Sequence, residues 1–122
     1  MSELSIIQKT YHLIKWDVPL LNKLPRDQKL LLENRIITEL YNILDNLIMA
    51  QYAKKKLGYL EPLNARLQIL RYQTRLLLDF QLMSEHRHEY ASKLINEIGQ
   101  ELGGWIKSQQ GREGVAESGY EK

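Results

Sequence analysis

The segment Leu63–Leu82, LNARLQILRYQTRLLLDFQL, constrains the chain more than any other. On a helix of about 3.6 residues per turn it carries an apolar stripe at Leu63, Leu67, Leu70, Leu77 and Leu78, interrupted by Thr74. A second stripe, Ala65, Ile69, Tyr72, Leu76 and Phe80, falls on roughly the opposite side. Arg71 and Arg75 are four apart and stack on one ridge between the two. A helix on the surface of a globular domain needs one apolar face. Two faces with arginines at their border fit a helix packed in its own bundle and also against another body. They fit equally a central helix buried within one domain, its arginines snorkelling along the edge.

The flanking segments are helical as well. Over residues 3–24, Leu4, Ile7, Tyr11, Ile14, Val18 and Leu21 recur at three- and four-residue steps, and Ile6, Leu13 and Leu20 add a second, surplus line. Pro19 removes one backbone bond there, which predicts a kink, or a stop near Asp17 and a restart. Pro25-Arg26-Asp27 ends the segment, with Asp27 placed to cap the next helix. That second helix is predicted from about Gln28 to Lys55, its broad apolar arc formed by Leu30, Ile36, Ile37, Leu40, Tyr41, Ile43, Leu44, Leu47 and Ile48. Gly58 is a natural breaker, and Pro62 suits the first turn of the third helix.

Ser84 is placed to cap a fourth helix, on which Tyr90, Ala91, Leu94, Ile98, Leu102, Trp105 and Ile106 share a face. Gly99 and Gly103 lie four apart on a neighbouring face, beside Gly104. Glycine inside a helix costs about 0.5–1 kcal/mol relative to alanine. This cluster therefore needs a cause, either close approach of another backbone or fraying near a C-terminus. Short connections force successive helices to run antiparallel. The expected fold is all-α: an antiparallel up-down-up-down four-helix bundle over residues 1–110, followed by a disordered tail over 111–122, where periodicity stops.

With 122 residues the chain is one domain with a modest core. It has no cysteine, which excludes disulfides, thiolate metal sites and cysteine nucleophiles. No apolar run approaches the roughly 18 residues of a membrane span, and the N-terminus lacks a secretory pattern, so a cytoplasmic protein with no membrane partner is expected. The net charge is +2, with the tail at −1 and the body at +3. Lys54, Lys55, Lys56, Arg66, Arg71 and Arg75 cluster around one turn, either as a solvated corner or as a phosphate-binding surface. His86 and His88, two apart on a helix, cannot clamp one metal, and His12 stands alone. The two Glu-x-x-His motifs of di-iron bundles are missing, no His-Glu-x-x-His helix or phosphate loop occurs, and no carboxylate pair stands out as acid and base. The expectation is a protein that is not an enzyme and needs no cofactor or metal.

Several pieces together resemble one family. They are Leu24-Pro25-Arg26, Asn34-Arg35-Ile36, Ala50-Gln51-Tyr52, Leu70-Arg71, Arg75-Leu76, Ser84 with Tyr90, and the run Glu97-Ile98-Gly99-Gln100-Glu101-Leu102-Gly103-Gly104-Trp105-Ile106-Lys107. Over about residues 3–108 the chain resembles the accessory variability determinant proteins of diversity-generating retroelements, relatives of the four-helix proteins encoded in intervening sequences of bacterial 23S ribosomal RNA. The most specific part is the closing Ile-Gly-x-x-Leu-Gly-Gly-Trp-Ile.

The resemblance implies a non-enzymatic partner of a reverse transcriptase, built as a four-helix bundle and assembled into a basic, barrel-like homopentamer. Such proteins bind the polymerase and nucleic acid and support error-prone copying of a template-repeat RNA into cDNA. By position, Arg71 and Arg75 match the family's third-helix arginines, and Lys54, Lys55 and Lys56 its basic turn. With Arg66 these are the expected contacts to nucleic acid or reverse transcriptase. Ile69, Tyr72, Leu76 and Phe80, with Gly99 and Gly103, are the expected oligomer interface. A charge of +2 is low for the family, so nucleic-acid binding is expected to be weak, sequence-independent and governed by salt. The alternative is a stand-alone bundle of the ribosomal intervening-sequence kind, acting as an RNA- or protein-interaction module; the Ile-Pro-x-Asn-Ile-Ala-Glu-Gly motif of that branch is absent.

Overall fold

A computed structural model describes residues 3–25 and 29–121, with side chains over 5–25 and 31–113. Four long helices carry the fold: α1 (Glu3–Leu21), α2 (Asn34–Tyr52), α3 (Leu63–Asp79) and α4 (Glu85–Glu121). Each packs on the next, and α1 packs on α4, which closes a four-helix bundle around one core. The α1–α4 pair runs antiparallel. Ser5 meets Glu101, Lys9 meets Glu97, and His12 and Trp16 meet Tyr90, so one number rises as the other falls.

On α1 the inward face is Ile6, Thr10, Leu13, Ile14, Asp17 and Leu21, while Tyr11 is exposed and Ile7 and Val18 are only partly buried. Of the line read from sequence as surplus, Ile6 and Leu13 are buried and Leu20 is half-buried, and the core takes Ile14 and Leu21 from the other line. Two polar residues on that face disguised it. Thr10 satisfies itself by donating to the Ile6 carbonyl at 2.9 Å, a bond that lets a threonine sit in a core. Asp17 does not: it is 2% exposed, and its Oδ1 finds no hydrogen-bond partner among the described residues. Burial pushes its carboxyl up to about 7. Pro19 lies inside the last turn, and the helix passes Asp17 without stopping.

The second helix is shorter than its apolar pattern predicts. A wider π-helical turn occupies Lys29–Glu33, the α-helix proper begins at Asn34, and it ends at Tyr52 where Ala53 turns extended (φ −79°, ψ 148°). Lys56 closes that end, its ammonium donating to the carbonyls of Ala50 (2.8 Å), Gln51 (3.0 Å) and Ala53 (2.8 Å). The last carbonyls of a helix lack intrahelical donors, and a cation there also opposes the helix dipole. A single helical turn, Leu57–Leu60, then buries Leu60 completely and leads into α3.

Helix α3 turns Leu63, Leu67, Leu70, Thr74 and Leu77 inward. Thr74, which breaks the stripe in the sequence, is 1% exposed and donates to the Leu70 carbonyl at 2.8 Å. The helix ends in a Schellman arrangement: Leu82 N–H bonds the Leu77 carbonyl at 2.8 Å and Gln81 N–H the Leu78 carbonyl at 2.9 Å, with Gln81 in the left-handed region at φ 60°. Ser84 then caps α4, its hydroxyl accepting from Arg87 N–H at 3.2 Å. Ala91, Ile95, Ile98, Leu102, Trp105 and Ile106 form the buried face of α4. No break in this helix marks the boundary expected at residue 110. The cap expected of Asp27, the packing of Leu4 and Leu30, and the side chains of 114–122 lie outside the described residues.

Candidate functional site

The basic residues singled out from sequence fall into three groups. Lys56 is committed to the end of α2, and Arg66 is committed to Glu39. Glu39 sits on the inward side of α2 at 6% exposure, and Arg66 reaches its Oε1 at 2.8 Å. A carboxylate in such a place needs a cation, because an isolated buried charge is costly. These two cations hold the fold together.

Lys54, Lys55 and Arg75 form the second group and face solvent. Among the described residues no carboxylate pairs with Lys54 or Lys55, and Arg75 makes only a loose i,i+4 contact to Asp79 at 3.9 Å. An exposed pair of that kind contributes little and is readily exchanged for another anion.

Arg71 stands apart from both. It lies half-buried across α4, where Nε donates to Asn96 Oδ1 at 3.4 Å and Nη1 donates to Gln68 Oε1. A β-carbon built on Gly99 would come within 2.8 Å of its Nη2. Gly99 therefore does make a close approach, but to a side chain of its own chain rather than to another backbone. The arrangement leaves an open recess of about 320 Å³ between α3 and α4, lined by Asn64, Leu67, Arg71, Asn96, Gly99 and Gln100. Asn64, Asn96 and Gln100 were invisible as site residues in the sequence, since amides on an exposed helix face carry no pattern of their own.

The second stripe of α3 is where the sequence placed it. Ile69 (41%), Tyr72 (67%), Leu76 (40%) and Phe80 (57%) are all exposed, opposite the core-facing leucines. Gly103 and Gly104 lie on the outer side of α4, with nothing within 4 Å of a β-carbon built on either. Nothing among the described residues accounts for those two glycines.

On the far side of the bundle, Lys9 bridges α1 to α4. It reaches Glu101 at 2.7 Å and Glu97 at 3.5 Å, and the hydrogen bond to Glu101 raises the Lys9 ammonium above its ordinary range. His12 pairs with the Tyr90 hydroxyl at 3.0 Å, and Tyr90 packs edge-on against Trp16. Among the described residues no three His, Asp or Glu side chains converge as a metal site would require. No helix there is long and apolar enough to cross a membrane.

The family model described as bAvd-like matches residues 4–109, which takes in the first three long helices and α4 as far as residue 109. No curated protein matches the chain.

Proposed function

The chain belongs to the bAvd-like family, the accessory variability determinant family of diversity-generating retroelements, and on that basis we propose that it is a non-enzymatic accessory factor of mutagenic reverse transcription. It binds the retroelement's reverse transcriptase and, weakly and without sequence preference, the template-repeat RNA and its cDNA. It works in the cytoplasm as a homo-oligomer, a pentamer by the family resemblance.

The observation that carries this reading is the family match across the whole bundle. The surface supports it in two ways. Four large apolar side chains on α3 face away from the core, an arrangement that soluble monomers seldom leave uncovered and that a second copy would bury. The uncommitted cations, Lys54, Lys55, Arg71 and Arg75, are repeated in every copy of an assembly, so a ring gathers phosphate contacts that one subunit of net charge +2 lacks.

The test is reconstituted cDNA synthesis from the cognate reverse transcriptase and template-repeat RNA, with and without this protein. Synthesis is expected to depend on the protein and to be lost when Arg71 and Arg75 are both alanine. Equal synthesis in its absence would overturn the proposal.

A further inference from the structure

A glycine in the middle of a helix needs a reason, and Gly99 has one within reach. Its φ is not positive, so no backbone requirement calls for glycine. The first atom a β-carbon there would meet is the far end of Arg71, at 2.8 Å, and the next is Leu67 Cδ1 at an ordinary 3.9 Å. What the missing side chain gains is a place for one guanidinium.

That guanidinium is oriented but not neutralised. Its two protein partners, Asn96 and Gln68, are uncharged amides. Among the described residues no carboxylate lies within ion-pair distance of it, in contrast to Lys9, Arg66 and Arg75. Arginine has five donors in a fixed fork, so two amide contacts leave others for a ligand. The recess beside it, about 320 Å³, is walled by Asn64, Asn96 and Gln100, with Leu67 as its one apolar side chain and no acid.

We infer that this recess between α3 and α4 is a seat for one phosphate group of a nucleic-acid strand, with Arg71 as the binding group and Gly99 as the residue that positions it. The inference rests on the nucleic-acid part of the function proposed above and deepens it. A phosphate fits better than a protein carboxylate for two reasons. Leu67 is the one apolar side chain in those walls, which leaves a protein side chain little to pack against. Arg75 also continues the ridge one helical turn further, about 6 Å along the axis, held only by its 3.9 Å contact to Asp79. Two guanidiniums at that step suit a ligand whose negative charges repeat along a chain.

The test uses the full-length protein and a labelled single-stranded RNA of mixed sequence, titrated by fluorescence anisotropy across a salt series. Gly99→Ala leaves the charge untouched and only displaces the flexible tip of Arg71. It should weaken binding roughly tenfold, as loss of a charge-assisted hydrogen bond does, and should lower the slope of log affinity against log salt by roughly 0.7. Arg71→Ala should do the same, and the double variant should bind no worse than Arg71→Ala alone. Asn96→Asp, which sets a carboxylate against Arg71, should weaken binding at least as much. Circular dichroism and light scattering should match the parent throughout, and Gly99→Ala should melt no lower.

Parent-like binding by Gly99→Ala, or additive losses in the double variant, would overturn the inference. So would RNA binding unchanged in every variant while Arg71→Ala and Gly99→Ala fail to retain the reverse transcriptase in a pull-down. That outcome assigns the recess to a protein carboxylate and leaves the accessory role standing. If cDNA synthesis does not require the protein at all, the accessory role fails, and the RNA titration still decides what the recess holds.

Discussion

The ammonium of Lys56 lies 2.8 Å from the carbonyl oxygen of Ala50, six residues earlier, and takes in the carbonyls of Gln51 and Ala53 as well. Lys56 therefore closes a helix, whereas Lys54 and Lys55 beside it pair with no carboxylate among the described residues. Lys56→Gln should lower stability by about 1–2 kcal/mol, the scale of a partly exposed charged cap. Lys54→Gln with Lys55→Gln should leave the melting temperature alone and reduce the salt dependence of RNA binding. Thermal melts and salt titrations of the two variants separate the roles that a triple substitution would merge.

Arg66 and Glu39 make a second structural pair. Among the described residues Glu39 Oε2 has no partner and Arg66 is the one cation on this buried carboxylate, which removing Arg66 would strip away. Arg66→Ala should cost about 1–3 kcal/mol, with Arg66 itself nearly half exposed and the loss moderated by solvent. Glu39→Gln should recover part of that loss in the Arg66→Ala background. Chemical denaturation of the single and double variants measures the coupling.

Asp17 makes stability depend on pH in a stated direction. Its carboxyl titrates at about 7 when folded and near 3.8 when free, so the folded chain holds the proton more tightly. The contribution of Asp17 to stability is therefore greatest below 3.8, falls as pH rises between the two values, and levels off above 7. Asp17→Asn should flatten this dependence and exceed the parent at pH about 8 by an amount on the order of a few kcal/mol. Denaturant midpoints at several pH values give the answer; a difference between parent and Asp17→Asn that stays constant from acid to neutral would refute it.

Gln81 ends α3 in a conformation that favours glycine. Gln81→Gly should raise stability by about 0.5–1 kcal/mol, because the left-handed region penalises a β-carbon more than the added chain freedom costs. A lower melting temperature would mean the Gln81 side chain makes a contact worth more than the strain.

The outward stripe of α3 should be the seam between copies. Leu76→Glu or Ile69→Glu, at positions 40% and 41% exposed in the single chain, should leave helical circular dichroism intact while light scattering falls to the 14.4 kDa of one subunit. A parent that already scatters as one subunit removes the premise.

Periodicity located the four helices and the two faces of α3 because those depend on spacing alone. It misjudged α1, where the buried line includes Thr10 and Asp17, and hydropathy counts neither as core. Thr74 misled in the same way on α3: a hydroxyl that bonds its own helix behaves as an apolar residue. The second helix starts close to where the pattern put it, though its first turn, Lys29–Glu33, is π rather than α and has no compositional mark; it overran at the other end, since the cap at Tyr52 comes from a lysine beyond it. Arg71 and Gly99 were each conspicuous, one as a ridge cation and the other as a costly glycine. Their relation was hidden because it joins two helices across a turn.

That relation also has an order in time. A chain made from its N-terminus brings out Arg71 well before Gly99, and the arginine has no place to lie until α4 is made and docks. During synthesis the guanidinium is a loose charge on an unfinished bundle, available to any passing polyanion. Only the completed protein holds it still, so the fixed pose on which the proposed phosphate seat depends arrives with the final helix.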